Sequence, residues 1–297
     1  MTVQSSQDNW TSWGKQEGLT EINSRLTRLR SSLAALNLAI DPQSRLGLFE
    51  HQLTEFPQPG YNPLRDTNFD WLAFTEGNRD LAELSFIVET LGKSDSEKLR
   101  LELTRALHGA RLPSSDKRTE ARNIQFQLYL TAWLMHSGFE VCLEEPDLKF
   151  SHDGICYGIA AKRLSSPRQV EKRVREAVHQ LERLELKGFG ALSVERLLGA
   201  QDSRVIAKNV QGLDDAAKEL LRRILRKHAA KIQPFLVAPW TLGLITYLSL
   251  PALMAMEPGN IGITTALFFL PRADDDAASR TLIESISMRV KDPSQPT

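Results

Sequence analysis

An aspartate and a lysine lie at sequence positions where two strands of one hairpin are expected to meet. Asp147 follows Pro146 at the start of a short strand, and Lys162 ends the next strand, fifteen residues on. Hairpin pairing brings both residues to the same end of a sheet. A carboxylate and an ammonium group placed there can hold a divalent metal and polarise a phosphate with its attacking water. The same spacing also fits a surface salt bridge, which contributes little to stability.

The elements that position this pair follow from the apolar periodicity. They come in the order helix, three strands, helix and strand, at residues 118–137, 139–143, 147–150, 155–161, about 168–186 and 189–194. Gly138 is placed to end the first helix. Asp153-Gly154 is a strong signal for the turn of a hairpin. This order predicts an α/β or α+β unit built around a mixed sheet.

Apolar residues spaced alternately three and four apart predict a helix near the N-terminus. This seam consists of Leu19, Ile22, Leu26, Leu29, Leu33, Leu36 and Ile40. It can join two chains as a coiled coil, which gives a homodimer through residues 19–40. It can also pack against its own domain. About three heptads is short for an independent coiled coil, so we expect the second arrangement.

The remaining composition shifts divide the chain into regions. Residues 1–18 are typical of a loose tail, 42–68 of a connection, and 69–110 of further helices. Apolar elements at 235–256 and a strand at 261–270 continue the α/β unit. A break at Pro113 marks the boundary. We therefore expect a helical N-terminal region at 1–113, an α/β domain at 114–291 and a disordered tail at 292–297.

Overall composition excludes several classes of protein. The chain has 297 residues, enough for about two domains or one large domain. Its 37 basic and 37 acidic residues balance, which excludes a strongly basic coat but not a local basic face. Two cysteines, Cys142 and Cys156, exclude a disulfide-rich scaffold and a multi-cysteine zinc module. The polar N-terminus carries no apolar signal core, so we expect a cytoplasmic protein with reduced, buried thiols.

One apolar run is long enough to span a bilayer. Residues 232–256 contain no charged side chain. Pro234, Pro239 and Pro251 interrupt the run, and polar residues dilute it. Runs broken in this way are more typical of buried elements in a water-soluble core, so we expect no membrane span.

Residues 118–194 resemble the core of the PD-(D/E)XK nuclease superfamily. The features that carry the resemblance are Gln127 on the helix ending at Gly138, Pro146-Asp147, Ala160-Ala161-Lys162, and Gln180 on the next helix. The strand Gly158 to Arg163, reading Gly-Ile-Ala-Ala-Lys-Arg, is similar to one branch of that superfamily. The resemblance implies a restriction-endonuclease-like fold, in which helices flank a mixed central sheet.

The resemblance also implies a role for each matching residue. Asp147 corresponds to the metal-binding carboxylate, and the backbone carbonyl of Ala161 to a further metal ligand. Lys162 corresponds to the group that orients or helps to deprotonate the attacking water. Gln180 would place its amide near the metal-bound water or the phosphate. Magnesium suits such a site, because it prefers oxygen ligands and keeps several waters.

Two positions depart from the pattern of the superfamily. Ala160 stands where the triplet has an acidic residue, and Gln127 stands where the upstream helix often offers a glutamate. Fewer carboxylates weaken a divalent site. Glu120 is one candidate replacement, about 10 Å from Gln127 along the same helix face. Glu145, next to the turn into the Asp147 strand, is the other.

A local excess of basic residues lies beside this candidate site. Residues 162–187 contain eight basic and four acidic side chains. This excess suits contacts with phosphate, although charge pairs on a solvated helix explain it equally well. The predicted nucleic-acid contacts are Arg163, Arg168, Lys172, Arg173 and Arg175. A second basic helix at 220–231 is interpreted as a solvated face.

Taken together, the sequence predicts a magnesium-dependent, nuclease-like protein that hydrolyses phosphodiester bonds in DNA. The alternative is a degenerate nuclease fold that binds nucleic acid or a partner protein without cleaving. Ala160 and Gln127 are the residues that favour this alternative.

Overall fold

A computed structural model describes residues 10–55, 69–93, 96–112, 120–198, 205–256, 260–272 and 277–289. The helices in these ranges are α1 (Leu19–Ala35), α2 (Arg45–Glu55), α3 (Trp71–Leu91), α4 (Glu97–Leu107), α5 (Glu120–His136), α6 (Val170–Arg183), α7 (Val210–Ile232) and α8 (Ala277–Arg289). The strands are β1 (Trp10–Glu17), β2 (Glu140–Cys142), β3 (Leu148–His152), β4 (Ile155–Arg163), β5 (Gly188–Ser193), β6 (Val205–Ala207), β7 (Thr241–Met254) and β8 (Ile261–Pro271).

These strands form one mixed sheet in the order β1-β8-β7-β5-β4-β3-β2, with β6 beside the end of β7. β4, β5 and β7 are parallel neighbours, and the other pairs along this order are antiparallel. The first half of β7 pairs with β5, and its last residues pair with β6. Parallel neighbours need a crossover, which α6 provides between β4 and β5.

Helices cover both faces of the sheet. Helices α1 to α5 and α8 pack on one face, while α6 and α7 pack on the other. All six residues of β5 are buried, as expected of a strand with helices on both sides. The prediction of a mixed α/β chain with helices flanking a mixed sheet is therefore confirmed.

The elements predicted between residues 118 and 194 are all present. They are α5, β2, β3, β4, α6 and β5, in that order. Gly138 follows α5 with a φ of 84°, a conformation that glycine adopts without strain. Asp153 and Gly154 have φ values of 50° and 76° and form a two-residue hairpin loop. Positive φ at both positions is what the favoured hairpin turns require.

Two predictions about the N-terminal region are wrong. Residues 10–17 were expected in a loose tail, but they form β1, antiparallel to β8 at the edge of the sheet. The reason is visible at Trp10, whose ring lies 4.4 Å from that of Phe268 on β8. Residues 45–55, expected in a connection, form α2. The predicted boundary at Pro113 and the predicted tail at 292–297 lie outside the described residues.

The apolar seam of α1 packs inside the chain. Ile22, Leu26, Leu29 and Leu33 are at most 5% exposed, and they contact the helices around them. The expected packing against its own chain is therefore confirmed. These four side chains are not accessible for pairing with a second copy.

The apolar run at 232–256 supplies the end of α7 and the long strand β7. Among the described helices, none combines the length and the apolar character needed to cross a bilayer. The prediction for the cysteines is wrong in one respect, because Cys142 and Cys156 are both exposed. They lie on β2 and β4, separated by β3, and are not bonded to each other.

A network of buried charges lies between the N-terminal helices and the sheet. Its members are Arg45, Glu76, Arg79, Asp80, Glu83, Arg122, Gln125, Arg163 and Glu195, none more than 9% exposed. Asp80 binds Arg45 at 3.0 Å and Arg122 at 3.1 Å. Burial acts to raise the pKa of Asp80, but these two arginines hold it well below its usual range. The network reaches β4, where Arg163 donates to the backbone carbonyl of Arg122 at 3.1 Å.

Candidate functional site

An open cleft of about 1080 Å³ lies where α5 and α6 flank the ends of β3 and β4. Helix α5 contributes Glu120 and Gln127, the strand ends contribute Asp147 and Lys162, and α6 contributes Gln180. Ala161, Arg163 and Arg173 also line the cleft, so the structure places eight of the eleven predicted site residues around one cavity. Its volume is slightly above the range of about 300–1,000 Å³ that is usual for small-molecule pockets.

The local sequence explains why α6 forms this wall. The helix buries a stripe of apolar residues, Val170, Val174, Ala177, Val178 and Leu181. Their spacing is that of one helix face, so this face packs on the sheet. Gln180 lies beside the stripe and is only partly buried, which places its amide at the margin of the cleft.

Asp147 and Lys162 meet at the end of the sheet, as hairpin pairing predicts. The Lys162 Nζ lies 3.1 Å from Asp147 Oδ2, and the backbone amide of Ala161 donates to the same oxygen at 2.7 Å. Only 24% of the Asp147 side chain and 14% of the Lys162 side chain are exposed. The pair therefore differs from a freely solvated surface salt bridge, and neither of these two donors binds Asp147 Oδ1.

The environment of Asp147 disfavours its charged form. Burial raises the pKa of its carboxyl group above the usual value, although Lys162 and the Ala161 amide act in the opposite direction. A proton therefore competes more strongly for this carboxylate than for an exposed aspartate. A cation that binds Asp147 is expected to bind more weakly as the pH falls towards this raised pKa.

Two glutamines from opposite walls hold the backbone at Asp147. Gln127 donates through Nε2 to the carbonyl of Asp147 at 2.6 Å, and Gln180 donates through Nε2 to the carbonyl of Pro146 at 3.2 Å. The peptide bond between Glu145 and Pro146 is cis. The Gln180 Oε1 atom is buried at the cleft without a hydrogen-bond partner. An unpartnered buried acceptor is a position where a donor or a cation can bind.

Ala160 does not face open space. It is fully buried and packs against Ala177 and Leu181 of α6. An acidic side chain at this position would meet the apolar face of α6 instead of solvent. The position where the nuclease superfamily carries a carboxylate is thus a packing position in this chain.

The two carboxylates considered as replacements already have cationic partners. Glu120 lines the cleft and forms an ion pair with Arg105 of α4. Glu145 pairs with Arg183 at 3.0 Å, and 67% of its side chain is exposed. Neither residue has a described hydrogen bond or ion pair with Asp147, although the charge of Glu145 acts to raise the pKa of Asp147.

The structure adds Glu176, which sequence reasoning did not single out. It lines the cleft from α6, four residues before Gln180, and pairs with Arg173 at 2.7 Å. The spacing alone places Glu176 and Gln180 on one helix face, so this signal was available in the sequence. Asn123 and His179 also line the cleft.

Five basic residues were predicted to contact nucleic acid, and they occupy different environments. Arg168, Lys172 and Arg175 are exposed on or just before α6, and Arg173 is half-buried in the cleft wall. Arg175 binds Glu171 at 2.6 Å, as expected of charge pairs on a helix. Arg163 has only 3% of its side chain exposed and lies near Glu195 inside the protein.

The oxygen atoms of this cleft fit a magnesium ion better than a metal that needs several nitrogen or sulfur ligands. Among the residues that the structure describes, there is no group of three or more His, Cys, Asp and Glu placed to hold a metal. Magnesium is commonly held by one or two carboxylates, with waters and substrate phosphates completing its shell. Asp147, the unpartnered Gln180 Oε1 and Glu176 offer oxygens of this kind.

The chain was compared with protein-family models, with curated proteins and with solved structures. None of the three comparisons finds a match. The functional argument therefore depends on the cleft itself.

Proposed function

We propose that the chain is a magnesium-dependent nuclease-like protein that binds DNA in the cleft between α5 and α6 and hydrolyses its phosphodiester bonds. One observation carries this proposal: the half-buried contact of Asp147 with Lys162, 3.1 Å long, at the end of two strands and open to a cleft. The proposal is also supported by the resemblance of residues 118–194 to the PD-(D/E)XK superfamily.

Each cleft residue has a role in this proposal. Asp147 and the free Oε1 of Gln180 would hold the ion, and Glu176 brings a second carboxylate to the same cleft. When bound, magnesium supplies a Lewis acid that stabilises charge on the phosphate and acidifies a bound water. Lys162 places a positive charge beside the phosphate, where it opposes the negative charge that develops during attack. Gln127 keeps the Asp147 backbone in place.

The proposal is tested by magnesium titration in a calorimeter, with and without a short DNA duplex. Asp147→Asn keeps the shape of the side chain and removes its charge. Asp153→Asn is the matched control, since Asp153 is 75% exposed in the hairpin turn. We expect magnesium binding and duplex cleavage in the wild type and in the control, and loss of both in Asp147→Asn. Binding or cleavage that survives Asp147→Asn contradicts the proposed site.

A second candidate function follows from the packing of Ala160 under α6, which leaves the site without the acidic residue of the triplet. In this case the cleft binds nucleic acid without cutting it. The same duplex, followed by fluorescence anisotropy in EDTA, distinguishes the two functions. Metal-independent binding that weakens with rising salt, together with absence of cleavage, favours the binding function. Substitution of Arg173 by Gln is then expected to reduce the salt dependence, because Arg173 lines the cleft.

A further inference from the structure

A second cavity, of about 330 Å³, lies on another part of the sheet, between strands β7, β8 and β1 and helices α1 and α3. Ser249 pairs with Thr265, and Thr265 pairs with Trp13, so the three residues form a row across the strands. Directly paired residues point to the same face of a sheet, so this row forms the floor of the cavity. Arg25 of α1 and Ser85 of α3 line the same cavity.

Three polar side chains in this lining are buried and carry polar atoms without a hydrogen-bond partner. Ser249 is 1% exposed, Ser85 is 3% exposed and Arg25 is 3% exposed. Neither serine Oγ has a hydrogen-bond partner, and the same is true of Arg25 Nε and Nη1. Buried polar groups in folded proteins are almost always satisfied, by protein atoms, water or a ligand. Three unsatisfied groups around one cavity point to an occupant that supplies the missing partners.

The chemistry of the lining limits which kinds of molecule can bind in the cavity. Arg25 forms an ion pair with Glu17, but its two free nitrogens can only donate, so the occupant must offer acceptor oxygens. Burial lowers the pKa of Arg25 to about 10, so its guanidinium stays charged at neutral pH. Charged donors bind carboxylates more strongly than neutral oxygens. Trp13 and Phe86 add aromatic surface to the lining.

The charges of the lining side chains also limit the net charge of a molecule that can bind there. Three basic residues, Lys15, Arg25 and Arg28, are balanced by three acidic residues, Glu17, Glu83 and Glu89. A polyanion would gain little from such a balanced cavity. Glu83 accepts hydrogen bonds from Tyr247 at 2.7 Å and Gln125 at 2.6 Å, so it is already engaged within the protein.

We propose that this cavity binds a small organic acid, whose carboxylate contacts Arg25 and the two serine hydroxyls and whose apolar part lies against Trp13. The proposal concerns a site separate from the cleft at Asp147, and it does not depend on nuclease activity.

The proposal is tested on the full chain by thermal unfolding and calorimetry with a series of probes. The probes are acetate, benzoate, phenylacetate and indole-3-acetate, with phenylacetamide as the uncharged analogue and inorganic phosphate as a simple anion. We expect at least one aromatic carboxylate to bind and raise the Tm, and phenylacetamide and phosphate to have no effect. Ser249→Val and Arg25→Lys are expected to weaken that binding about tenfold or more.

Ser24→Ala is the control, because Ser24 is exposed on α1, donates to the carbonyl of Thr20 and does not line the cavity. It should bind the acid like the wild type. Ser249→Val should not lower the Tm measured without ligand, since its hydroxyl has no hydrogen bond to lose. If Arg25→Lys does not fold, Ser249→Val and Ser85→Ala decide the result. The proposal is overturned if no carboxylate binds at millimolar concentration, if phenylacetamide binds equally well, if phosphate alone binds, or if these variants bind like the wild type.

Discussion

Replacing Ala160 by aspartate tests whether this position is closed to a carboxylate. Ala160 is fully buried and packed against Ala177 and Leu181, so the larger side chain must displace α6 or stay unsatisfied. Overpacking a core costs about 1–3 kcal/mol, and a buried polar group without a partner costs about 1–3 kcal/mol more. We therefore expect Ala160→Asp to lower the free energy of unfolding by about 2–6 kcal/mol.

The pH dependence gives this prediction a second measurement. Burial in apolar surroundings raises the pKa of a carboxyl group in the folded state. If the pKa of the aspartate is raised in the folded state, the loss of folding free energy grows as the pH rises above about 3.9, the pKa of an aspartate in the unfolded chain. The deficit of Ala160→Asp relative to the wild type should thus be smallest near pH 4 and should widen towards pH 7. Urea unfolding at several pH values measures it.

Ala161→Asp is the matched control, because successive residues of a strand point to opposite faces. Ala161 is only partly buried and lines the cleft, so Ala161→Asp is expected to cost less than Ala160→Asp. An Ala160→Asp variant as stable as the wild type, with a deficit that does not change with pH, would refute the reasoning. It would mean that an acidic residue at Ala160 reaches solvent or a cation.

Three further substitutions test the fold. Gly154→Ala places a side chain at a φ of 76° and should lower the free energy of unfolding by about 1 kcal/mol in urea titrations. Gly77→Ala should cost about 1–3 kcal/mol by the same assay, because the new Cβ would lie 2.3 Å from the Phe49 ring. Asp80→Asn should cost about 3–5 kcal/mol, because it leaves two buried arginines without their carboxylate. Since the pKa of Asp80 is held below its usual range, this last difference should be constant above pH 5 and shrink as the pH falls below about 4.

The cleft was largely predictable because its signals are local. The turn at Asp153-Gly154 sets the register of β3 and β4, and this register brings Asp147 to Lys162. Both facts follow from residues close together in sequence, where turn chemistry and alternation decide the structure. The role of Ala160 was not predictable in the same way. Its burial depends on how α6 packs over the strand, and the pattern of β4 alone does not specify this.

The strand β1 was not predicted, because its pairing depends on residues that are far apart in sequence. Its partner β8 lies at the other end of the chain, and Thr264 donates to the carbonyl of Trp13 across 251 positions of sequence. No local turn links the two strands, so the pairing leaves no short-range pattern. Such a pairing can be inferred only once the rest of the sheet is known, because β8 then lies at its edge and can pair with a further strand.

The buried charges of α3 show a different limit of prediction from the sequence. Glu76, Arg79, Asp80 and Glu83 follow a helical spacing, so the sequence places them on one face. Charged faces of helices are normally solvated, because ionised side chains are almost never fully buried unless they are paired. Within α3, Arg79 pairs with Glu76 and lies 3.9 Å from Glu83. The face is buried because the further arginines that neutralise it come from α2, α5 and β4. The partners are distant in sequence, and the alternation of charge within α3 does not reveal them.

These charges also connect the N-terminal helices to the cleft. Asp80 of α3 holds Arg122 of α5 at 3.1 Å, and the carbonyl of Arg122 accepts a hydrogen bond from Arg163, the residue after Lys162. One wall of the cleft and one of its strands are thus bonded to each other directly, and helix α3, which precedes residue 113, holds that wall in place through Asp80. Breaking this network changes the support of Lys162 without touching the cleft. An Asp80→Asn chain that still folds should therefore bind magnesium or DNA more weakly, even though Asp80 lies outside the cleft lining.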